Sequence, residues 1–415
     1  MSGFVDRARA ARLMEAAGLD AVLLVAPESV RWAGGGADPG VAALFRRAGA
    51  AMALIPADPA VPVAAVVGDL QAEDFARSSG IGDVRAHRIW VDTADARGVA
   101  ADASAREALV GAALVPPRPA TFDAAAALSL LRDAVAARGL SRARLGVEEA
   151  FLPVADAQLL RDALPDVAAW TDASPLVARL RAVKHPTEAA WLALAARAAE
   201  AGLEALLPEL HVGVGAGEMG RLWREAALAE AARLGAPGEV GAWAYISVGE
   251  DGFGPGGPCR EGDVLKFDVG CVVRGYSSDS ARTVVLGEPS RAAREVHAAL
   301  LAAFAAGEAM LRPGVPARAV HEAARAAMAE AGFPGWSRGH VGHGLGASVF
   351  SEEWPFLAAD EEAALEPGMV LAFETPWYVH GLGAFMVEDQ FAIGAGGAEP
   401  AWHLPRGLAA LPVLP

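Results

Sequence analysis

The sequence predicts a two-domain protein, in which an α/β domain is followed by an α+β domain. The chain has 415 residues, 53% of them hydrophobic, whereas one hydrophobic core stops growing at roughly 250–300 residues. Helical and strand-like segments alternate in the first third, as in a sheet covered by helices. Glycine-punctuated strands dominate from residue 242 onward. We therefore predict domains at 1–172 and 173–415.

The first domain begins with a predicted helix, Arg7 to Gly18, which ends on glycine. A short apolar run at 20–26 follows and predicts a buried strand. The same signals predict strands at 51–55, 63–67 and 144–147, helices at 71–78 and 121–138, and a proline-rich connection at 113–120.

The pattern changes near residues 171–175, and long helical segments follow at about 189–208 and 216–234. Pro186 suits the opening turn of the first of these helices. Strands then dominate, interrupted by predicted helices at about 289–311 and 317–332.

Composition excludes several classes of protein. The apolar content is too high for a disordered chain, and a net charge of −16 argues against nucleic-acid and anionic-membrane partners. Cationic or zwitterionic small molecules suit this charge better. The only cysteines, Cys259 and Cys271, cannot form a disulfide scaffold. No apolar leader or spanning stretch is evident, so we expect a cytoplasmic protein.

Two β-rich runs flank a turn at Val273–Gly275 and predict a hairpin. Asp268 and Asp279 fall roughly opposite each other in it, and two carboxylates that close repel each other unless a cation lies between them. Two solvated surface acids are an equally good interpretation of this hairpin alone.

A histidine between glycines, His343, stands in the segment Gly339-His-Val-Gly-His-Gly-Leu-Gly346. The glycines allow the backbone to approach closely, which suits a ligand imidazole. Taken alone, this histidine is more often an ordinary loop residue.

A second hairpin is predicted around residue 381. Its strands carry Glu374 and Glu388 inside apolar surroundings. Four carboxylates and one imidazole suit two divalent ions, with Mn, Co, Fe or Zn more plausible than a soft-ligand metal.

In chain order, the motifs D-x-G, G-Y-x-S-D-x-x-R-T, G-H-G-x-G, E-P-G-M-V, E-x-P and V-E-D resemble the pita-bread metallohydrolases, which include methionine aminopeptidase, aminopeptidase P, prolidase and creatinase. The segments beginning at Gly18 and Pro27 resemble the smaller domain of the aminopeptidase P, prolidase and creatinase branch. The resemblance thus implies a pita-bread catalytic domain preceded by a smaller α/β creatinase-type domain.

The resemblance implies five metal ligands: Asp268, Asp279, His343, Glu374 and Glu388. Asp279 and Glu388 would bridge two ions, of which manganese is the first choice. Glu374 would also handle the proton of the nucleophile. Homodimers are usual in this branch.

The chain departs from the peptidase pattern at three places. Phe350 stands where a family histidine follows the metal histidine, and a one-residue insertion would place Ser351 there and keep Glu352. Residues 249–258 lack a second family histidine, and Met386 replaces an arginine. Candidate replacements near the substrate are His340, Tyr378 and His380, and Glu352 is a fourth residue expected near the substrate. A structural role is the more common one for His340, Tyr378 and His380.

The sequence therefore predicts a metallohydrolase that cleaves an amide-type C–N bond, with an Xaa-Pro dipeptide as the default substrate. The alternatives are a creatinase-like or ectoine-hydrolase-like enzyme on a modified amino acid, a metal-dependent lyase or redox enzyme, and a non-enzymatic binding module. Five retained ligand positions count against the last, because buried acids without a metal would be destabilising. Cys271 is interpreted as a core residue, and Asp389 as a support of the ligand strand.

Overall fold

The computed structural model describes residues 3–93, 100, 102–104, 106, 117–348 and 352–413. The chain forms two compact units, Met1–Leu180 and Arg181–Pro415. Among the helices in these described ranges, none combines the length and the apolar character that a membrane crossing requires.

The amino-terminal unit is an α/β structure built on one six-stranded sheet with the strand order β4-β3-β2-β1-β5-β6. β1 is antiparallel to β2 and parallel to β5. The elements are α1 (Arg7–Ala16), β1 (Ala21–Leu24), α2 (Pro27–Ala33), β2 (Met52–Pro56), β3 (Ala64–Gly68), α3 (Ala72–Ser79), β4 (Asp83–His87), α4 (Ala124–Ala136), β5 (Arg144–Val147), α5 (Val154–Ala163), β6 (Ala169–Asp172) and α6 (Ser174–Ala182), which extends two residues past Leu180.

Local signals in the sequence explain most of this unit. The Asp6 side chain caps α1 by accepting hydrogen bonds from the backbone of Ala8 and Arg9, and Gly18 follows with φ +67°. Strands β1, β2 and β3 are buried along their whole length, so their apolar runs predict them correctly. β4 and β6 were not predicted, because they are polar and mostly exposed or half-buried. Residues 113–116 of the proline-rich connection lie outside the described residues.

The carboxyl-terminal unit is an α+β structure. Its helices are α7 (Pro186–Leu206), α8 (Ala216–Arg233), α9 (Arg291–Glu308) and α10 (Ala317–Glu330). Its strands are β7 (Val240–Val248), β8 (Val264–Val273), β9 (Tyr276–Ser277), β10 (Ser280–Leu286), β11 (His340–Gly344), β12 (Glu353–Ala358), β13 (Val370–Glu374), β14 (Trp377–Val379), β15 (Gly383–Phe385), β16 (Glu388–Gly394), β17 (Gly397–Pro400) and β18 (Ala409–Leu411).

Ten of these strands form one sheet, whose main path is β12-β11-β13-β16-β10-β8-β7. β14 and β15 form a separate two-stranded ribbon. The predicted helices match α7 to α10 to within a few residues, because their apolar periodicity is strong. Pro186 is the first residue of α7, as predicted.

The two faces of β8 have different surroundings. Leu265, Phe267, Val269 and Cys271 pack with α7 and α8 in one apolar cluster. Because side chains alternate along a strand, Lys266 and Asp268 point to the other face. Cys271 is therefore a buried core residue, as its place in the sequence indicated.

A glycine that packs against the Phe373 ring predicts a specific packing cost. A Cβ at Gly307 of α9 would lie 2.2 Å from the Phe373 ring, which packs in tilted geometry against Phe304 and Phe391. We expect Gly307→Ala to lower the free energy of unfolding by about 1–3 kcal/mol, because the ring has no free space to move into. The control is Gly220→Ala in α8, where the new Cβ makes ordinary contact at 3.7 Å and helix propensity should add about 0.5–1 kcal/mol. Urea denaturation of both variants measures the difference, and equal effects would contradict the packing argument.

A buried histidine predicts acid sensitivity. Burial, reinforced by the charge of Arg282, lowers the pKa of His297 to about 4. The folded state thus disfavours the protonated form, and the stability due to the neutral ring is lost as the pH falls from about 6.5 toward about 4. When the pH is lowered from 7 to 5, the unmodified chain should therefore lose about 2 kcal/mol more of its free energy of unfolding than the His297→Leu variant loses. Denaturation curves at both pH values test this, with exposed His403→Leu as the control; an unchanged pH dependence for His297→Leu would contradict it.

Candidate metal centre

The five residues singled out as ligand positions lie on, or next to the end of, five strands that are neighbours in the large sheet. Their order across the sheet, β11-β13-β16-β10-β8, carries His343, Glu374, Glu388, Asp279 and Asp268 respectively. Glu374 is the last residue of β13, Glu388 is the first of β16, and Asp279 precedes β10 by one residue. The sheet topology therefore brings together residues that are up to 120 positions apart in the chain.

The first hairpin has a two-residue turn, Arg274-Gly275, in which both residues have positive φ. Such a turn matches the twist of the flanking strands and fixes their register. The register pairs Asp268 with Ala281, so Asp279 lies diagonally across the strands from Asp268, two residues from the paired position. Gly270 lies on the same face, where an added Cβ would be 2.1 Å from the carbonyl oxygen of Ser278.

The second hairpin agrees with the prediction. Glu374 and Glu388 are directly paired between β13 and β16, and directly paired Cβ atoms lie about 4.5–5.5 Å apart. The same register continues into β14 and β15, which pair Val379 with Gly383 and leave residues 380–382 as the turn.

Close backbone packing holds His343 in place. A Cβ at Gly342 would be 2.2 Å from the Ala372 carbonyl oxygen, and one at Gly344 would be 2.6 Å from that of Trp354. The Nδ1 atom of His343 lies 3.1 Å from the Gly344 carbonyl oxygen. A proton on Nδ1 would be donated to this carbonyl, leaving the Nε2 lone pair free for a metal.

Three of the five residues form a compact buried set, which we call the inner set: Asp279, His343 and Glu388. One ligand atom of each lies within 4.8 Å of the others. Nε2 of His343 is 3.8 Å from Oδ2 of Asp279. Within the described part of the chain, Asp279 Oδ1 and Glu388 Oε2 are buried and accept no hydrogen bond. Two orphaned carboxylate oxygens beside an imidazole fit a divalent cation.

Electrostatics supports this fit. Burial raises the pKa of Asp279 well above its ordinary value, and the charge of Asp268 raises it further. Burial and the charge of Asp279 likewise raise the pKa of Glu388. Burial lowers the pKa of His343, so the neutral, ligating form is favoured. A bound cation would offset the repulsion that causes the carboxylate shifts.

The other two carboxylates are each paired with a cationic side chain, and neither cation was predicted from the sequence. Lys266 Nζ lies 3.1 Å from Oδ2 of Asp268, and Arg338 Nη2 lies 2.7 Å from Oε1 of Glu374. Burial raises the pKa of Glu374 to about 7, although Arg338 acts in the opposite direction. The available signal for Lys266 was its position two residues before Asp268 in an otherwise apolar strand.

The four residues predicted near the substrate fall into two pairs: His340 with Glu352, and Tyr378 with His380. His340 lies 3.8 Å from Oε1 of Glu374 and 3.9 Å from Oε2 of Glu352, which is half exposed. Tyr378 packs edge to face on Phe253 at 5.3 Å. His380 approaches the 249–258 loop, since a Cβ at Gly252 would be 3.3 Å from its Nδ1.

Asp389 lies in direct contact with two arginines of the same unit. Its Oδ1 accepts a hydrogen bond from Arg282 at 2.7 Å, and its Oδ2 accepts one from Arg406 at 2.5 Å. These contacts anchor the residue that follows Glu388. Phe350 and Ser351, where the sequence departs from the peptidase pattern, lie outside the described residues.

Both units match known families. The model of metallopeptidase family M24 matches residues 190–395, and that of the creatinase/prolidase N-terminal domain matches residues 7–183. The chain is 32% identical over 271 residues to the probable dipeptidase PepE of Mycobacterium tuberculosis, a match that covers 63% of this chain and 68% of that protein. The chain belongs to metallopeptidase family M24. The two-domain fold and the metallohydrolase class predicted from the sequence are thereby confirmed.

Two further comparisons differ in what they cover. The uncharacterized peptidase YqhT of Bacillus subtilis is 34% identical over 152 residues, which are 37% of this chain and 42% of that relative. The structure of the Xaa-Pro dipeptidase from Bacillus anthracis superimposes with a TM-score of 0.74 at 22% identity, covering 98% of this chain and 99% of that one. At this identity the superposition shows a shared fold. Family membership implies a divalent metal centre.

The inner set predicts that Glu388→Gln stabilises the metal-free protein but weakens the stabilisation that Mn²⁺ provides. In chelator-treated protein, Glu388→Gln should raise the free energy of unfolding by about 1 kcal/mol or more, because it removes an acid with no cationic partner among the described residues. With Mn²⁺ present, the same variant should lose most of the stabilisation that the ion gives the unmodified chain. Thermal unfolding with and without Mn²⁺ measures both effects. Exposed Glu399→Gln on β17 is the control, and Mn²⁺ stabilisation retained by Glu388→Gln would contradict the inner set as a ligand group.

Proposed function

We propose that this protein is a metal-dependent hydrolase that cleaves the amide bond of a small peptide, with an Xaa-Pro dipeptide as the first candidate substrate. The observation that carries the proposal is the inner set, whose two orphaned carboxylate oxygens lie beside Glu374. The dipeptidase name of the M. tuberculosis relative and the Xaa-Pro dipeptidase of the same fold support the choice of substrate.

Asp279, His343 and Glu388 would hold the divalent metal. Manganese is our first choice, ahead of Co, Fe and Zn, because oxygen donors predominate. When bound, such an ion makes water nucleophilic at neutral pH and polarises the scissile carbonyl. Asp268 and Glu374 occupy the other two positions at which the family resemblance implies metal ligands. Asp268 already contacts Lys266, and Glu374 already contacts Arg338.

Glu374 is the residue that we propose to take the proton of the attacking water at Oε. Its side chain is almost fully buried, with 7% exposure, and Arg338 fixes one of its two oxygens. A general base works best when its pKa lies near the working pH, and burial raises the pKa of Glu374 to about 7. The second oxygen is left to receive the proton.

We propose that His340, which lies next to Glu352, contacts the substrate. It is partly exposed, and its imidazole lies within 4 Å of both Glu374 and Glu352. Burial lowers the pKa of His340, so the ring is neutral and can donate one hydrogen bond and accept another. Tyr378 and His380 contact the 249–258 loop instead, where we propose that they border the substrate.

A specialised hydrolase acting on a modified amino acid is the second candidate. The observation that favours it is the chain's lack of histidine at 249–258, together with Met386 in place of an arginine. Xaa-Pro turnover by the metal-loaded protein would decide against this candidate. Activity confined to modified amino acids would favour it.

We also propose a cytoplasmic homodimer, since the branch that the sequence resembles is usually dimeric. The net charge of −16 suits an aqueous compartment and a small zwitterionic substrate. Light scattering of the purified chain measures the assembly, and a monomer at micromolar concentration would refute the dimer.

The catalytic assignment predicts a loss of turnover with the metal retained. We expect Glu374→Ala to reduce the hydrolysis of Gly-Pro and Ala-Pro by about 10²–10⁴-fold after Mn²⁺ loading, because the proton acceptor is lost. Metal analysis of the same samples should show the ion still bound by the inner set. The control is Glu288→Ala, whose side chain is 89% exposed. Metal-loaded Glu374→Ala with full turnover would refute the assignment, and a metal-loaded chain inactive on all dipeptides would refute the peptidase.

A further inference from the structure

We propose that the ammonium group of Lys266 stands in the place of a second divalent ion, so that the centre takes up a single ion at Asp279, His343 and Glu388. The juxtaposition that carries this inference is the contact between Lys266 Nζ and Asp268 Oδ2 at 3.1 Å. The inference deepens the proposed function and rests on it, since it assumes that the inner set binds metal.

Lys266 is fixed in position. The chain has two lysines, Lys184 and Lys266, and both are buried. The side chain of Lys266 has 0% exposure, and strand alternation directs it to the same face of β8 as Asp268. A buried ammonium needs a counter-charge and hydrogen-bond acceptors, and Asp268 supplies them.

Two aromatic rings complete the surroundings of this ammonium. Nζ lies 5.6 Å from the ring centroid of Phe253 and 5.7 Å from that of Tyr378. Ring faces at this distance attract cations. Phe253 and Tyr378 also pack on each other, so the ammonium has one carboxylate and a pair of contacting rings as neighbours.

Arg338 neutralises a second carboxylate of the site, that of Glu374. Arg338 contacts Glu374, as Lys266 contacts Asp268. The described residues place no arginine or lysine within ion-pair distance of Asp279 or Glu388. The five ligand positions thus divide into an inner set without a fixed cation of the chain and two outer carboxylates that already have one.

Charge balance among these six side chains favours a single ion. The four carboxylates carry four negative charges when ionised, and Lys266 and Arg338 supply two positive charges. One divalent ion neutralises the remainder, whereas two would leave the buried cluster with two uncompensated positive charges. Uncompensated buried charge is strongly unfavourable. A second ion would also have to take Asp268 from an ammonium that has no solvent to move into.

The decisive measurement is metal uptake by the full chain, which does not depend on turnover. Chelator-treated protein is mixed with Mn²⁺ in a calorimeter, and the metal content after dialysis is measured by mass spectrometry. We expect one ion per chain for the unmodified protein. Lys266→Met keeps an unbranched apolar side chain of similar length without the charge, and it should tighten binding of a second ion by about ten-fold or more. Spin coupling between two Mn²⁺ ions should appear in the electron paramagnetic resonance spectrum of this variant alone.

Charge-retaining and ligand variants make the test independent of any single mutant. Lys266→Arg should still take up one ion, and exposed Arg221→Gln on α8 should behave as the unmodified chain. Asp268→Asn should bind the single ion with an affinity within about two-fold of the unmodified chain. Asp279→Asn should weaken it by about a hundred-fold or more, because it removes an inner ligand.

The possible failures are distinguishable. Two ions of similar affinity in the unmodified chain would overturn the role of Lys266 and leave the proposed function standing. One ion in both the unmodified chain and Lys266→Met, or loss of the ion in Asp268→Asn, would also overturn it. No uptake of metal by the unmodified chain would refute the proposed function itself. If Lys266→Met does not fold, the unmodified chain and Asp268→Asn still decide the question.

Discussion

The repulsion among carboxylates gathered on one buried face of the large sheet is the constraint on which the rest of the carboxyl-terminal unit depends. Asp268, Asp279, Glu374 and Glu388 lie on adjacent strands, and mutual repulsion adds to burial in raising the pKa of Asp279 and Glu388. Such a cluster persists only if the backbone cannot relax and if cations balance the charge.

The backbone condition is met by strand pairing and by apolar packing. Two hairpins with a fixed register hold the carboxylates across from one another. Helices α7 and α8 pack with the odd-numbered residues of β8, and α9 and α10 belong to the cluster that contains Phe373 and Val387, next to Glu374 and Glu388. The acids are therefore held by large apolar clusters, so their placement does not depend on their own interactions.

The charge condition is met unequally across the site. Lys266 and Arg338 compensate the outer carboxylates, while the inner set lacks a cation fixed by the described residues. This asymmetry gives each part of the site a different chemistry. The inner set suits a metal, and Glu374, restrained by Arg338, suits proton transfer. The family match shows the fold and class, and the structure of this chain shows the contacts of Lys266 and Arg338.

The sequence by itself determined the domain order, most helices and buried strands, and the two hairpins, because these follow from local periodicity and turn chemistry. It also singled out Asp268, Asp279, His343, Glu374 and Glu388, since the ordered motifs that contain them resemble those of the pita-bread metallohydrolases. β4 and β6 escaped prediction, because polar strands at or near a sheet edge lack an apolar signal. Only the tertiary structure decided which carboxylates are free for a metal. Lys266 is two residues from its partner on the same strand, where alternation offers a local signal, but Arg338 precedes β11 and is 36 residues from Glu374. A contact over that distance in the sequence depends on side-chain directions that no local pattern encodes.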